Sequence, residues 1–415
     1  MQALRSGGLH RRAVESRPYD GLSPRIGSGS AARGRSRMSP SVYGMRLDGI
    51  SAHAPEQAWS NARVAARLRL ERMRLRKASG GRLSPEQAKL FETSDRWVRR
   101  FVGFTERRFC RDGEGTIDLA ARAARQLFER SGLASGDVDA IVVGSVTPSY
   151  LYSPPDAAML QHELGIPVWR GPAPREIVGA DVSLACSGWV TSLMFCYALI
   201  RAGLARRIIL IGADRMSAAI NWRDRSFATV LGDAGTATLC TAVPEAEDWF
   251  SPSQFWSWLD GSQAEVIRAT AGGSRQPAPS PPEVDAGATR LAMDGAAVRK
   301  ILVPFVGGPA IDAALAKANW KLEDLDLVTL HEANLTLNES IVKTWRERGL
   351  RGQVLTAGGR FGNTTSASIP LALALNPEAL SIGKRFGLFG FGGGLSACFA
   401  FGTIRHPLPT WSNQA

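Results

Sequence analysis

The chain offers little to metal or redox chemistry. Its 415 residues include five cysteines and five histidines, with no Cys-Xaa-Xaa-Cys pair and no metal-ligand spacing. No run reaches the ~20 uninterrupted apolar residues of a bilayer span, and the opening lacks the apolar core of a secretory signal. The glycine-rich stretches never continue into the Gly-Lys-Ser/Thr of a phosphate-cradling loop. These absences set aside a zinc or disulfide scaffold, a membrane protein and a P-loop nucleotidase. An odd number of thiols without a leader points to a reducing cytoplasm. The net charge of +12 resembles a nucleic-acid signal, but its location argues otherwise. Residues 1–37 hold eight arginines against Glu15 and Asp20, and residues 69–92 hold seven basic against three acidic side chains. The remainder is nearly neutral, so no nucleic-acid partner is expected.

What is present centres on Asp181-Val-Ser-Leu-Ala-Cys-Ser-Gly-Trp189. Ile177 to Val182 reads as a buried strand and Gly188 to Ile200 as an apolar helix, which places Cys186 at a strand-to-helix turn. The positive end of a helix and its unpaired N–H groups favour a thiolate. Ala185, Ser187 and Gly188 leave room for a carbonyl to approach. A buried structural cysteine is the bland reading of such a residue. Two other segments weigh against it. His331 follows the buried-looking strand Leu327 to Leu330, and Asn363 lies in a loop that leads into a second apolar helix. Of the other histidines, His10, His53 and His406 lie in terminal or loop-like sequence, and His162 in a polar helical stretch. Ligands gather at the carboxyl ends of strands in open α/β sheets. A Cys, a His and an Asn at three such ends point to nucleophilic catalysis.

The chain also repeats itself. Leu119 to Gly144 reads helix, loop, Asp-Val-Asp, strand, and Ile311 to His331 reads helix, loop, Asp-Leu-Asp, strand. Each is followed by a strand, a turn and a helix, then a hairpin-like pair, Arg207–Gly212 with Thr236–Thr241 and Gly387–Phe391 with Ser396–Phe401. A duplicated α/β unit would set Cys186 and Asn363 on equivalent turns, facing one another across a pseudo-twofold axis.

From about Tyr43 onward the sequence resembles the β-ketoacyl-acyl carrier protein synthase III group of the thiolase superfamily. The resemblance rests on Thr93-Ser-Asp-Arg-Trp97, Gly103-Phe-Thr-Glu-Arg107, Ala185-Cys-Ser-Gly188, Gly232-Asp233, His331-Glu-Ala-Asn334, Gly362-Asn-Thr364 and Gly392-Gly-Gly394, in that order. It implies an α/β fold, a five-layered αβαβα sandwich of two duplicated halves, in a homodimer. It also implies that Cys186 takes up an acyl group as a thioester. His331 and Asn363 would then bind the thioester carbonyl of a second, carboxylated substrate and promote its decarboxylation. The backbone N–H groups of Cys186 and Gly392 would form an oxyanion hole for acyl transfer. Trp97, Arg100 and Asn334 are the candidate substrate-binding residues. Acyl-CoA or acyl carrier protein would be the partners, and no cofactor, metal or membrane is implied.

Departures from the family pattern bear on the donor. The arginine expected four residues after Trp97 is Phe101, the arginine expected at the carrier-protein contact is Thr336, and the usual glutamine after the histidine is Glu332. A carboxylate there would raise the imidazole pKa or change its tautomer if it faced the ring. These changes lean towards a specialised fatty-acid or polyketide synthase. Residues 1–42 read as a disordered basic extension or as sequence upstream of a true start at Met38. Residues 43–245 form the half with Cys186, including the basic insertion 69–92, and 246–415 form the half with His331 and Asn363. Arg69 to Lys77 reads as a helix, either a solvated face or a contact for an acidic carrier. Gly272 to Gly287 reads as a flexible surface loop, and Trp256 and Trp258 as packing residues. The competing functions are a non-decarboxylating O- or N-acyltransferase of the same fold, a papain-like cysteine hydrolase and a non-catalytic partner subunit. A papain-like enzyme leaves the repeat unexplained, and a non-catalytic subunit has no need of all three residues.

Overall fold

The Asp-Xaa-Asp marker has the same structural job in both halves. In the first, the Asp139 carboxylate accepts the N–H of Arg207 at 3.0 Å, and the Arg207 side chain pairs with Asp137 at 3.2 Å. In the second, Asp326 accepts the N–H of Arg385 at 2.8 Å, and the Arg385 side chain pairs with Asp324 at 2.9 Å. Each marker therefore fixes the register of two neighbouring parallel strands at their entry ends.

The computed structural model describes residues 43–285 and 287–414, which belong to one compact unit. The expectations for residues 1–42 lie outside the described residues. The first sheet contains β1 (Tyr43–His53), β2 (Ala140–Gly144), β3 (Val178–Val182), β4 (Arg207–Arg215) and β5 (Asp233–Pro244). The second contains β6 (Phe255–Leu259), β7 (Leu327–Leu330), β8 (Gln353–Leu355), β9 (Arg385–Gly392) and β10 (Ser396–Thr403). Their spatial orders are β1-β5-β4-β2-β3 and β6-β10-β9-β7-β8. Taken in chain order within each half, the two arrangements are identical. One strand departs from the simple division at residue 245: β11 (Thr410–Ser412) returns to the first sheet and lies parallel to β1.

The helices supply the other layers. They are α1 (Asn61–Ala78), α2 (Asp95–Phe101), α3 (Thr116–Ser131), α4 (Gly188–Arg201), α5 (Gly295–Phe305), α6 (Ile311–Ala318), α7 (Leu335–Glu347) and α8 (Ser368–Ala374). α4 and α8 lie between the sheets, where Trp189, Leu193, Cys196, Ile200, Ile369 and Leu373 share one core with residues of both sheets. α3 covers the outer face of the first sheet, and α5, α6 and α7 cover the second. The result is the expected αβαβα sandwich. Parallel strands buried on both faces explain why β2 is free of polar side chains and β7 carries only the buried Thr329.

The stretch Gly295–Ala318 is long and apolar enough to cross a bilayer by composition. Val298, Leu302, Val306, Ala310, Ile311 and Ala314 are instead buried in the second core. Trp256 and Trp258 pack as expected, with Trp258 4.2 Å from the Phe305 ring and Trp256 5.1 Å from Phe399. The segment read as a flexible loop, Gly272 to Gly287, holds the short helix Pro281–Asp285 among its turns. His53, read as loop-like, is the last residue of β1.

Candidate active site

Small residues and a forced backbone create the turn around Cys186. Ala185 has a φ of 46°, a left-handed conformation that is unfavourable for a residue with a Cβ. A single 3-10 turn, Ala185–Ser187, then feeds directly into α4. The turn on the other side of the axis is built alike: Thr365 has a φ of 48°, and the 3-10 turn Thr365–Ala367 feeds α8. Cys186 and Asn363 therefore stand on equivalent turns at different positions. The counterpart of Cys186 is Ser366.

Cys186, His331 and Asn363 line one cavity of about 490 Å3. Its walls include Met216, Phe227, Leu231, Leu291, Met293 and Leu302, most of which come from segments without any motif. Cys186 is half-buried with a free thiol. Burial pushes that thiol up to about 12, and the nearby Asp214 carboxylate pushes the same way. The N–H of Gly393, the amide of Asn363 and the N–H of Cys186 itself oppose the rise. Desolvation thus outweighs the helix end, contrary to the expected thiolate, and the resting nucleophile is a thiol.

The glycine run supports the sulfur in two ways. A Cβ on Gly392 would lie 2.7 Å from the Cys186 Cβ and 2.9 Å from its Sγ, so only glycine allows this approach. The N–H that meets the sulfur belongs to Gly393.

His331 follows β7, and its N–H is held by the Phe389 carbonyl at 2.9 Å. Its Nδ1 lies 2.6 Å from the Ser368 hydroxyl, and its Nε2 is buried without a partner. Burial drives the imidazole down to about 3, against a smaller opposing pull from the Thr365 backbone, so the ring is neutral. Glu332 does not reach the ring. Its carboxylate is buried and accepts the Ala357 N–H at 2.6 Å, and burial raises it to about 7.

Asn363 is fixed from both chain directions. Its N–H donates to Val230 at 2.8 Å, and its carbonyl accepts from Gly232 at 2.9 Å. A Cβ on Gly232 would run into the Phe361 carbonyl, which accounts for the glycine of Gly232-Asp233. The Asn363 Oδ1 accepts the Thr365 N–H at 2.9 Å, and Nδ2 donates to Ala333 at 3.3 Å. The other amide hydrogen faces the Cys186 sulfur, on the cavity side.

The other candidates are placed differently. Asn334 lines the cavity: Oδ1 caps α7 at the Leu337 N–H, and one Nδ2 hydrogen goes to the Phe101 carbonyl, which leaves the other for a ligand. Trp97 and Arg100 are not among the residues lining the cavity. One face of Trp97 is covered by the Arg225 guanidinium at 4.4 Å. The exposed Arg100 rests 5.3 Å from the ring of Phe101, which lines the mouth.

Sequence reasoning missed Ser368, Arg225 and Asp214. Ser368 had a signal, a hydroxyl on the first turn of the helix after Asn363. The others depend on contacts between distant segments. Buried Asp214 accepts from Ser145, Val146 and Thr147 in one half and from Thr365 and Ser366 in the other. It ties the Asn363 turn to the first sheet.

Two like-ordered sheets around a buried helical layer, with a cysteine at an inner turn, define a thiolase-fold condensing enzyme. The model of 3-oxoacyl-[acyl-carrier-protein] synthase III matches residues 180–256, and that of its C-terminal region matches residues 315–402. The β-ketoacyl-[acyl-carrier-protein] synthase III of Sulfurovum sp. (strain NBC37-1) is 31% identical over 310 residues, covering 74% of this chain and 87% of that protein. The same enzyme of Clostridium perfringens is 32% identical over 308 residues, covering 74% and 89%. The crystal structure of the Pseudomonas aeruginosa PAO1 3-oxoacyl-(acyl carrier protein) synthase III superposes with a TM-score of 0.71 at 26% identity, covering 88% of this chain and 100% of that one. The chain belongs to the 3-oxoacyl-[acyl-carrier-protein] synthase III family, a family of carbon–carbon bond-forming acyltransferases.

Proposed function

We propose that the protein takes an acyl group onto Cys186 and extends it by Claisen condensation, with loss of CO2 from a malonyl-type thioester or with loss of an α-proton from a β-ketoacyl-type thioester. The observation that carries this reading is the single cavity lined by the Cys186 thiol, the unpartnered Nε2 of His331 and the Asn363 amide. In the first step the sulfur attacks an acyl-CoA or acyl carrier protein thioester. The donor thiol leaves with the proton that Cys186 loses. Backbone N–H groups at the Cys186 turn and the glycine run stabilise the intermediate oxyanion.

In the second step, loss of CO2 leaves an electron pair delocalised onto the thioester oxygen. The Ser368 hydroxyl sits between the Thr365 carbonyl, which accepts its hydrogen at 2.9 Å, and Nδ1; when it turns to donate to Nδ1 instead, the proton of the neutral ring lies on Nε2. Nε2–H and the Asn363 amide then both point donors at that oxygen without bringing a net charge. The α-carbon attacks the acyl-cysteine carbonyl, forms the new bond and regenerates the thiolate, which takes a proton. No step calls on a metal or organic cofactor. A reducing compartment such as the cytoplasm suits a catalytic thiol.

The finer assignment is specialised fatty-acid or polyketide synthesis. Apolar walls at Met216, Phe227, Leu231, Leu291 and Met293 suit an acyl chain longer than acetyl, and Phe101 places an apolar ring at the mouth. A homodimer fits as well. β3 is an edge strand, and Tyr150, Leu151, Tyr152 and Trp169 are exposed. The test is CO2 release from a malonyl thioester by Asn363→Ala. We expect release to fall by roughly 100-fold or more while self-acylation stays within a few-fold. Comparable losses in both steps contradict the assigned roles. Acyl transfer by the wild type to an oxygen or nitrogen acceptor, with no carbon–carbon product from either donor class, would instead show an O- or N-acyltransferase.

A further inference from the structure

Helix α1 is anchored at only one end. Asn61, Val64, Ala65 and Leu68 are buried, with Val64 and Leu68 in a cluster that includes Phe91, Phe109, Phe227 and Leu231. From Arg69 to Arg82 no residue is buried, and Leu70 and Met73 are 37% and 61% exposed. The single acid of this stretch, Glu71, is already taken by Arg67 at 3.0 Å and Arg74 at 2.7 Å. Arg69, Arg72, Lys77 and Arg82 have no ion pair among the described residues. A helix that projects unbalanced charge and apolar side chains together gains nothing for the fold from either.

The same surface continues towards the active site. α1 packs on α2, whose exposed Arg96, Arg100 and Phe101 extend the mixed basic and apolar character. Phe101 and Arg299 both line the cavity. α2 meets α1 at its anchored end, where Asn61 donates to Asp95 at 2.9 Å, so the helix pair links the basic free end to the opening above Cys186.

We propose that the α1–α2 surface docks an acidic carrier protein bearing the acyl or malonyl thioester on its flexible arm. This inference rests on the condensation reading and names the partner of that site. Charge complementarity selects the occupant. A positive field at the mouth concentrates an acidic body and orients it, while Leu70, Met73 and Phe101 supply the apolar contacts of a close interface. Thr336, near the mouth, contributes no cation. On this account the projecting helix carries the docking charge instead.

The test compares Arg69→Glu/Lys77→Glu/Arg82→Glu with the wild type on one acyl group presented in two ways, on an acidic acyl carrier protein and on free pantetheine. The three side chains are exposed, so the fold should survive, and circular dichroism checks it. With the carrier-borne substrate, kcat/KM should fall by roughly tenfold or more, and raising salt should reduce the wild-type rate towards the variant's. With the pantetheine thioester the two proteins should agree within about twofold. Equal losses on both substrates, or none on either, overturn the proposal. Carrier kinetics that stay unchanged while only the wild type binds anionic lipid vesicles would assign the surface to a membrane instead. A binding titration of the carrier protein against Cys186→Ala separates this proposal from the reaction itself, since docking requires no condensation.

Discussion

The two inner turns of this molecule share a backbone and differ in what fills the space beside them. Ala140 stands opposite Ile208 in the first sheet as Leu327 stands opposite Phe386 in the second. Carried along the strands, this register sets Gly144 against His331 and Asp214 against Gly392. Around Cys186 the strand end is glycine and a cavity opens. Around Ser366 the strand end is Asp214, whose carboxylate accepts the Ser366 hydroxyl at 2.5 Å, while Gly144 accepts the same hydroxyl at 2.8 Å. One copy of the turn is left open for a substrate, and the other is closed by its own side chains. A glycine in place of an aspartate separates a reactive turn from a structural one.

This contrast predicts that mutations on the two sides will fail in different ways. The largest effect should come from Gly392→Ala, whose new Cβ would lie 2.7 Å from that of Cys186. Self-acylation should drop by roughly 100-fold or more, with little change in the denaturant midpoint. Asp214→Ala, at the equivalent position, should destabilise the fold by about 3–5 kcal/mol, because donors in both halves lose a buried acceptor. Should Gly392→Ala unfold the protein, or Asp214→Ala leave its stability intact, the division between the turns is wrong.

Ser368→Ala tests the support behind His331. Without the hydroxyl 2.6 Å from Nδ1, which can turn from the Thr365 carbonyl to the ring, the imidazole loses the partner that would set its tautomer. Condensation should slow by roughly tenfold while self-acylation holds. Imidazole 15N shifts should report the tautomer change, and Ser368→Thr should restore it.

A smaller effect concerns pH. Burial raises Glu332 from its ordinary 4.5 to about 7. The folded state then holds a proton that the unfolded state has released, so stability falls as pH rises from 4.5 through 7. The loss amounts to about 3 kcal/mol above that window. Glu332→Gln should raise Tm at pH 8 and leave it unchanged at pH 4. An equal gain at both values would show that the carboxyl does not titrate there. Because His331 stays neutral down to about 3, acidification from pH 7 to 5 should not inactivate the enzyme through this ring.

The contrast also explains what could be read from the sequence. Cys186, His331 and Asn363 were legible because each follows a short apolar run at a strand-to-helix turn or strand end, a local pattern. The duplication was legible because Asp139 and Asp326 do the same local job in register. The plug was not. Asp214 closes its turn through contacts with residues far along the chain on both sides, and nothing in Gly212-Ala-Asp214 announces them. The thiol misled for a related reason. A helix start is visible in sequence, whereas the desolvation that outweighs it comes from a cavity assembled out of several segments. Trp97 and Asn334 matched a family pattern, but their immediate partners, Arg225 and Phe101, decide what their side chains are free to do.

The most direct test is intact-mass and peptide-level analysis of the wild type and Cys186→Ala after exposure to an acyl thioester. A single acyl adduct should appear on the peptide containing Cys186 and be absent from the variant. An adduct that persists in Cys186→Ala, or that maps to the Ser366 turn, would contradict the claim that only the open turn reacts.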